Sequence, residues 1–454
     1  MSSTHILEDA SLAPGVTGIM EAPSHKQMFS RRGLLWQCLG AGLTANAFAS
    51  ANGLSAEDDR FLEELERASF LFFWEQADPH SGLVKDRCAA TGDDKRNVAS
   101  IAATGFGLAA LCIGHKRGYI SAPAATLRVI ATLQFLWKSM PNHRGFYYHW
   151  ANMTTGERVW ESEVSSIDTA ILLCGVLTCR EYFHHSGIRN LANAIFGRVE
   201  WTWGSEDTAL VSHGWTPELG FLPYRWDSYS ELMMVYLLGL GSGTHPLPEA
   251  TWSSWKRTTF EYDGLRYIGS YAPLFVHQYS QAWFDFRGKR DAYADYFENS
   301  VISTEVHRRF CLELAHQFPD YSDDLWGITA SDSEHGYVVW GGPPQMGPID
   351  GTVVPSAAGG SLPFLPPATL RVLKNIRNKY GSRAWTKYGF VNALNPLKNW
   401  YDPDVIGIDT GITLVMAENL RDGFVWNTFM KAPEAQRGLR KAGFRAISDI
   451  AAAK

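Results

Sequence analysis

Apolar residues recur at helical spacing along most of the chain after residue 56. In the segment 57–77, Phe61, Leu65, Ala68 and Phe72 fall on one face, which is the pattern of an amphipathic α-helix. The same kind of pattern predicts further helices over 98–118, 122–140, 166–183, 188–203, 230–241, 279–286, 291–314, 367–381, 411–421 and 433–444. Helices therefore dominate the predicted fold.

These predicted helices are of two kinds. Several are apolar on nearly every side, as expected of helices buried in a double layer, and others have a single apolar face. No linker-like composition and no repeat period divides the chain. The pattern predicts an all-α fold with a single domain over residues 51–454. Its expected form is a toroid, in which outer helices surround an inner helical barrel.

Long loops rich in Gly, Pro and Trp separate the helices. The largest spans 326–367 and is predicted to contain short strands at Tyr337–Trp340 and Thr352–Pro355. A structureless loop of that length is unusual in a compact domain unless it is functional. We therefore expect the loops to build a cleft at one end of the toroid.

The N-terminal segment has the features of an export signal. Paired arginines, Arg31 and Arg32, precede an apolar stretch and an Ala-x-Ala sequence at 47–49, which is typical of a twin-arginine signal peptide cleaved near Ala49. The apolar run is short for a membrane anchor. Residues 1–50 are thus predicted to be an N-terminal extension with a signal peptide, and the mature protein is expected to be periplasmic or secreted.

Composition excludes some classes of function. The formal charge of −6 provides no basic surface for nucleic acid. The cysteines beyond Cys38 have no Cys-x-x-Cys or Cys/His metal spacing, which predicts free thiols, and there is no Gly-x-Ser-x-Gly nucleophile motif. Aromatic residues interleave with polar ones in GFYYHW (145–150) and GFLPYRWDSYSE (220–231), a pattern that suits stacking on sugar rings.

Acidic residues stand at the predicted starts of apolar helices. The sequence Ile-Asp-Thr occurs at 167–169 and again at 408–410, each time before an apolar run. Aspartate is a good N-cap, so capping alone could explain Asp168 and Asp409. Ser228 and Glu231 have the spacing of a capping box. Each of these acids therefore has a purely structural interpretation.

The surroundings of these acids favour an additional role. Glu163 lies five residues before Asp168, and Asp332 and Asp350 lie in the large loop, each close to aromatic residues or glycine. Apolar walls or a nearby arginine would shift the pKa of Glu231. Because loops at one end of the inner helices of a toroid converge, the pattern predicts a cleft lined by carboxylates.

Paired carboxyls in such a cleft suit glycoside hydrolysis, which needs one protonated acid and one ionised base or nucleophile. A metal site at Asp402, Asp404 and Asp409 is the rival interpretation. That loop lacks the glycine and terminal glutamate spacing of a calcium-binding hand, and Pro403 stiffens it. We expect neither a metal nor a cofactor.

Six stretches resemble the glucoamylase-like proteins of glycoside hydrolase family 144. They are SEVSSIDTAILLCG, HGWTPELGFLPYRWDSYSELMMVYLLGLG, LFVHQYSQAWFDFRG, WGITASDSEHGYVVWGGPP, DGTVVPSAAGGSLPF and NWYDPDVIGIDTGITLVMAENLR. The resemblance extends from about residue 60 to 445. It implies an (α/α)6 barrel acting on β-1,2-glucan, either as an inverting endo-glucanase or as an enzyme that releases sophorose from a chain end.

The resemblance also implies roles for particular residues. Glu231 would be the general acid, with Asp168 or Asp409 holding the water or an intervening hydroxyl and Glu163 beside them. The implied or expected sugar contacts are Arg225, Trp226, Tyr229, His277, Gln278, Tyr279, Trp283, Asp332, Trp340, Asp350, Asp402 and Asp404.

Other functions remain open from the sequence alone. A transglycosylase would keep the aromatic platforms while excluding water. A polysaccharide lyase would need a basic cleft to neutralise a uronate, which the acid-rich loops oppose. A non-catalytic glucan-binding protein would bind the polymer and leave it unchanged. The expected partner is a β-glucan, without nucleic acid or membrane insertion after signal removal, and the expected state is a monomer.

Overall fold

The computed structural model describes residues 54–270, 273–343 and 347–452. The signal predicted over 1–50 lies outside these residues. Serines cap the first three helices: the hydroxyls of Ser55, Ser100 and Ser121 each accept a hydrogen bond from the amide three residues later. The α-helices are α1 Ala56–Glu75, α2 Ile101–Lys116, α3 Ala122–Lys138, α4 Ser166–Tyr182, α5 Ser186–Gly197, α6 Trp201–Gly204, α7 Met233–Gly241, α8 Tyr296–Glu313, α9 Pro355–Gly359, α10 Pro366–Tyr380, α11 Gly407–Asp422, α12 Phe424–Phe429, α13 Pro433–Lys441 and α14 Ile447–Ala452.

The strands are short and lie in the loops between helices. They are β1 Arg87–Ala89, β2 Val98–Ser100, β3 Asn142–His143, β4 Phe146–Tyr147, β5 Trp150–Asn152, β6 Val164–Ser165, β7 Gly214–Thr216, β8 Gly220–Phe221, β9 Thr259–Tyr262, β10 Leu265–Ile268, β11 Lys289–Arg290, β12 Ser331–Ser333, β13 Gly336–Val338, β14 Trp385–Thr386, β15 Gly389–Phe390, β16 Leu394–Asn395, β17 Trp400–Tyr401, β18 Asp404–Ile406 and β19 Arg445–Ala446. All pair antiparallel, in two-stranded ribbons except for the three-stranded sheet β6–β7–β8.

An inner ring closes from six segments: α2, α4, α7, a pair of 3-10 turns at Leu274–His277 and Tyr279–Ala282, α9 and α11. Helix α2 packs on α4 and α11, α4 packs on α7, and α9 packs on α11. The 3-10 pair joins the ring by hydrogen bonds, since Ser280 Oγ donates to Glu231 O at 2.7 Å and Gln278 Nε2 donates to Ala357 O at 2.9 Å.

The outer layer consists of α1, α3, α5, α8, α10 and α13, each packed on the inner ring or on its outer neighbour. Outer and inner helices alternate along the chain except after α7, where no outer α-helix precedes the 3-10 pair. Helix α13 packs beside α7 at this point, so the C-terminal part of the chain completes the layer. The fold is thus the predicted all-α toroid.

Glycines let two inner helices cross at backbone distance. A Cβ built on Gly175 of α4 would lie 2.1 Å from the carbonyl oxygen of Gly105 in α2, and a Cβ on Gly105 would lie 2.6 Å from Ile171 O. Real Cβ atoms do not approach backbone so closely. The spacing of α2 and α4, and therefore of the loops that they carry, depends on these two residues.

Several predicted elements differ from the structure. The helix predicted over 279–286 is instead a single 3-10 turn at Tyr279–Ala282, and the flanking and internal glutamines, Gln278 and Gln281, donate to backbone carbonyls of other segments. The helix predicted over 188–203 is broken between α5 and α6. The strand predicted at Thr352–Pro355 is wrong: Val353 alone forms a bridge, and Pro355 begins α9.

The predicted thiols are confirmed, since every cysteine among the described residues is free and buried. Over the same residues, no helix is both long enough and apolar enough to cross a membrane.

We expect Gly175→Ala to destabilise the protein by about 1–3 kcal/mol, because the added methyl forces α2 and α4 apart. Gly197→Ala in α5 is the matched control: its Cβ would meet only Thr244 Cγ2, at 3.6 Å, and alanine favours the helix. Urea unfolding of the two variants and the wild type measures the difference. Equal stability of Gly175→Ala and the wild type would contradict this account of the crossing.

Candidate active site

Three acids stand at the N-terminal ends of inner helices. Asp168 and Asp409 are the third residues of α4 and α11, and Glu231 lies two residues before α7. Because the outer helix α5 runs back between α4 and α7, the N-terminal ends of these two inner helices lie at the same end of the toroid. The hydroxyl of Tyr279 lies within electrostatic reach of all three: burial raises its pKa, and the carboxylates of Asp409, Glu231 and Asp168 raise it further.

Glu231 has no capping role. Helix α7 begins at Met233 behind Leu232 without a side-chain cap, and Ser228 donates to Asp227 instead, so the predicted capping box does not form. The Glu231 side chain is half-buried. Burial, followed by the charge of Asp168, raises the pKa of Glu231 to about 7. Glu231 is therefore suited to carry a proton near neutral pH.

Asp168 is held by two groups. The N-cap of α4 is Ser165 rather than Asp168, and its hydroxyl donates to Asp168 Oδ2 at 2.5 Å. On the other side, His149 Nε2 lies 3.6 Å from Asp168 Oδ1. Burial raises the pKa of Asp168, and His149 and Ser165 oppose that rise. The capping interpretation of Asp168 was therefore wrong.

Glu163 completes a cluster with this histidine. His149 Nδ1 lies 3.1 Å from Glu163 Oε1. Burial alone would raise the pKa of Glu163, but the charge and hydrogen bond of His149 hold that pKa below its ordinary value. Both carboxylates thus share one imidazole. Sequence analysis had placed Glu163 beside Asp168 without identifying His149 as the residue that joins them.

Asp409 accepts hydrogen bonds from neutral donors. Ser356 Oγ of α9 donates to Asp409 Oδ1 at 3.0 Å, and Asn392 Nδ2 donates to the other oxygen. Helix α11 has no side-chain cap, so the capping interpretation of Asp409 was also wrong. Burial raises the pKa of Asp409 to about 7 despite both donors. Ser356 and Asn392 were not identified from the sequence.

Arginines pair with two members of a second acidic cluster. One oxygen each of Asp332, Asp402 and Asp404 lies within 4.8 Å of the others, a spacing that could hold a metal ion. Arg87 bonds Asp332 and lies 3.8 Å from Asp404, and Arg96 bonds Asp404 through both terminal nitrogens at 2.6 Å. Two of the three carboxylates therefore have arginine partners within the protein. The cluster joins β1, β12 and β18, and Asp409 is not part of it.

Glu163, Asp168 and His149 also have a metal-compatible spacing. There the imidazole already pairs with both carboxylates, so the three ligand positions are satisfied by the protein itself.

Most of the predicted sugar contacts have other partners. Tyr229, Gln278 and Trp283 are at most 1% exposed and lie in the core. His277 bonds Tyr229, Trp226 donates to Ser166, and Trp340 donates to Ser331. Arg225 pairs with Glu206, and Asp350 pairs with Lys398. Of the predicted set, Tyr279 lies within electrostatic reach of all three acids, and the charge of Asp332 acts on Asp409.

Two exposed aromatics at the loops were missed. Tyr337 is 43% exposed on β13, and its pKa is raised by burial and by Asp409, Asp332 and Glu231 in that order. Trp160 is 44% exposed and packs edge-on against Trp150, which stacks on His149 with ring centroids 3.6 Å apart. Trp160 has a left-handed backbone, with φ 56°. The sequence signal that could have identified Trp160 is its position three residues before Glu163.

Comparison with known proteins identifies relatives along nearly the whole described chain. The family model described as "Putative glucoamylase" matches residues 223–433. A Bacteroides uniformis structure of the same description is 30% identical, with a TM-score of 0.81, and the match covers 87% of this chain and 98% of that one. An endo-β-1,2-glucanase from Chitinophaga pinensis, solved with sophorotriose and glucose, is 29% identical, with a TM-score of 0.81 and coverage of 87% and 99%.

A curated relative from Parabacteroides distasonis is an exo β-1,2-glucooligosaccharide sophorohydrolase acting at the non-reducing end. It is 29% identical over 431 residues, which is 86% of this chain but 59% of that protein. This chain therefore spans less than two thirds of the length of that relative.

Proposed function

This chain belongs to the glucoamylase-like family, and we propose that it hydrolyses β-1,2-glucan at internal linkages, with inversion of the anomeric carbon. The observation that carries the proposal is the unequal environment of Glu231 and Asp168. Glu231 has a pKa raised to about 7 by burial and by the charge of Asp168. Asp168 has a hydroxyl donor on one oxygen and an imidazole facing the other. One protonated and one ionised carboxyl are what glycoside hydrolysis requires.

The substrate is proposed from the relatives. Both the endo-β-1,2-glucanase and the sophorohydrolase act on β-1,2-linked glucose, as their names state. We propose internal cleavage from the similarity to the endo-β-1,2-glucanase, which shares this fold with a TM-score of 0.81. The exposed rings of Tyr337 and Trp160 offer neutral surfaces suited to a neutral sugar chain.

In the proposed reaction, the protonated Glu231 carboxyl gives its proton to the glycosidic oxygen as the bond from that oxygen to the anomeric carbon breaks. A water attacks the anomeric carbon from the opposite face. Asp168 takes the water proton, directly or through a sugar hydroxyl between them. The products are two shorter glucans, and a β linkage gives the α anomer first.

Asp409 is proposed to bind a sugar hydroxyl rather than to act as the base. Its partners, Ser356 and Asn392, are neutral, and its pKa of about 7 leaves it partly protonated near neutral pH. Asp168, which faces His149, has the stronger stabilisation of the carboxylate.

We further propose that the protein is exported to the periplasm through the twin-arginine pathway as a monomer. Arg31, Arg32 and the Ala-x-Ala sequence at 47–49 support export.

Incubation of the protein beginning near Ser50 with linear β-1,2-glucan is expected to yield a ladder of short oligosaccharides, resolved by chromatography. Glu231→Gln should lose this activity by a factor of about 10² or more, because the amide cannot donate the proton. Release of a single disaccharide would move the proposal to exo action, and products longer than the starting glucan would indicate transglycosylation. An unchanged polymer would contradict β-1,2-glucan as the substrate.

Asp168→Asn is expected to lower kcat by a factor of about 10² or more, whereas Asp409→Asn should mainly raise KM. Steady-state kinetics on one oligosaccharide separates the two effects, and proton NMR of the first product identifies its anomer. If Asp409→Asn instead lowers kcat and Asp168→Asn leaves it intact, the assignments of the two residues are reversed.

Fractionation of cells expressing the full chain tests export. The protein is expected in the periplasm, and Arg31→Lys combined with Arg32→Lys should retain it in the cytoplasm. Periplasmic protein in the double variant would argue against the twin-arginine route.

A further inference from the structure

The backbone and ring of His149 are fixed on several sides. Its amide donates to Glu163 O at 2.9 Å, and its carbonyl accepts from the amide of Ile101, the first residue of α2, at 3.2 Å. Its ring stacks on Trp150 at an interplanar angle of 10°. The imidazole therefore has a defined place between α2, β5 and the segment that carries Glu163.

Both ring nitrogens face carboxylates. Nδ1 lies 3.1 Å from Glu163 Oε1, and Nε2 lies 3.6 Å from Asp168 Oδ1. The carbonyl oxygen of Glu163 also accepts a hydrogen bond from the His149 amide. Glu163 therefore contacts both the backbone of this histidine and its Nδ1, whereas Asp168 lies beside Nε2. This arrangement directs one N–H bond at the carboxylate that we assign as the base.

We propose that His149 is a positioning residue: an imidazolium anchored by Glu163 and Trp150 that orients the Asp168 carboxylate and keeps it ionised during catalysis. The inference rests on the proposed function for its catalytic consequence. The clamp itself, Glu163–His149–Asp168, is a property of the folded protein and can be tested without substrate.

The charges around the clamp support this role. Burial would lower the pKa of His149, but Asp168, Glu163 and Asp86 together raise it to about 9. His149 is therefore a cation below about pH 9, and that charge is lost as the pH rises through this value. Glu231 and Tyr279 also face Asp168, and His213 acts on Glu163. Among these groups, His149 is the cation that contacts Asp168.

Removing the imidazole would leave Glu163 and Asp168 as two buried like charges. The pKa of Asp168 should then rise, since an opposite charge at this range shifts a carboxyl by about 1–3 units. A base with a raised pKa is protonated over more of the acidic range. Activity should therefore be lost most at low pH, whereas a loss of folded protein would lower activity by the same factor at every pH.

The first test is the pH profile of kcat/KM for His149→Gln. We expect its acidic limb to move upward by about 1 unit or more, so that the activity relative to wild type falls between pH 8 and pH 5, by up to about 10-fold for each unit of the shift. His143→Gln is the matched control, because His143 also stacks on a tryptophan, Trp215, with ring centroids 4.0 Å apart, whereas the charged groups that act on it are Arg144 and Glu200. Its profile should match the wild type. An unshifted acidic limb in His149→Gln would overturn the catalytic part of the inference.

The second test uses NMR titration of the histidine rings in the substrate-free protein, with the His149 signals identified by their absence from His149→Gln. They should titrate near pH 9 in the wild type and about 1 unit or more lower in Glu163→Gln, which keeps the ring. Titration of His149 near pH 6.5 in the wild type would contradict the proposed contacts of His149 with Glu163 and Asp168. If the clamp titrates as expected but the wild type leaves β-1,2-glucan intact, the proposed function fails and the clamp stands.

Discussion

Burial of carboxyl groups at one end of the inner barrel is the constraint on which the site depends. Removing a carboxyl from water disfavours its charged form and raises its pKa, and burial is the largest cause of the shift at Glu231, Asp168, Asp409 and Asp402. The protonation state of each acid is then decided by its partner. Asp168 has an imidazole and a hydroxyl, Asp409 has neutral donors, and Glu231 has the repulsion of Asp168 in addition to burial.

The toroid makes this shared burial possible. Asp168 and Asp409 occupy the first turn of inner helices, where the amide groups and the helix dipole favour a negative charge. A carboxylate at this position therefore stabilises the helix and also lies at the mouth of the barrel. The depth of burial follows from the spacing of the inner helices, and at α2 and α4 that spacing depends on the contact between Gly105 and Gly175. The close approach of the α2 and α4 backbones thus bears on the burial of Asp168, which lies seven residues before Gly175 in α4.

Much of the architecture could be predicted from the sequence because helix periodicity is a local signal. Segments apolar on every side became the inner helices α2, α4 and α7, and the acids near the starts of α4 and α7 marked the cleft end. Helix α9 was missed because five residues are too few to show a period, and α9 lies in a loop rich in Gly and Pro. The aromatic residues were harder to assign. Tyr229 and Tyr337 both lie in polar, aromatic loops, yet one ring is fully buried and the other is 43% exposed. Which way such a ring faces depends on the path of the loop in three dimensions.

The pairing between charged groups could not be predicted from the sequence either. This pairing distinguishes the acids bound by arginine, Asp332 and Asp404, from the acids at the helix starts. Arg87 and Arg96 pair with Asp332 and Asp404, and a guanidinium stays charged at every accessible pH, so this network keeps its positive partners throughout. His149 is different, because an imidazole can lose its proton. The charge that His149 presents to Asp168 therefore depends on the groups around the ring. The pairs that Arg87 and Arg96 form with Asp332 and Asp404 join loops. A carboxylate that is paired with a histidine, or with no cation, remains able to exchange a proton. Glu231, Asp168 and Asp409 all belong to this second group.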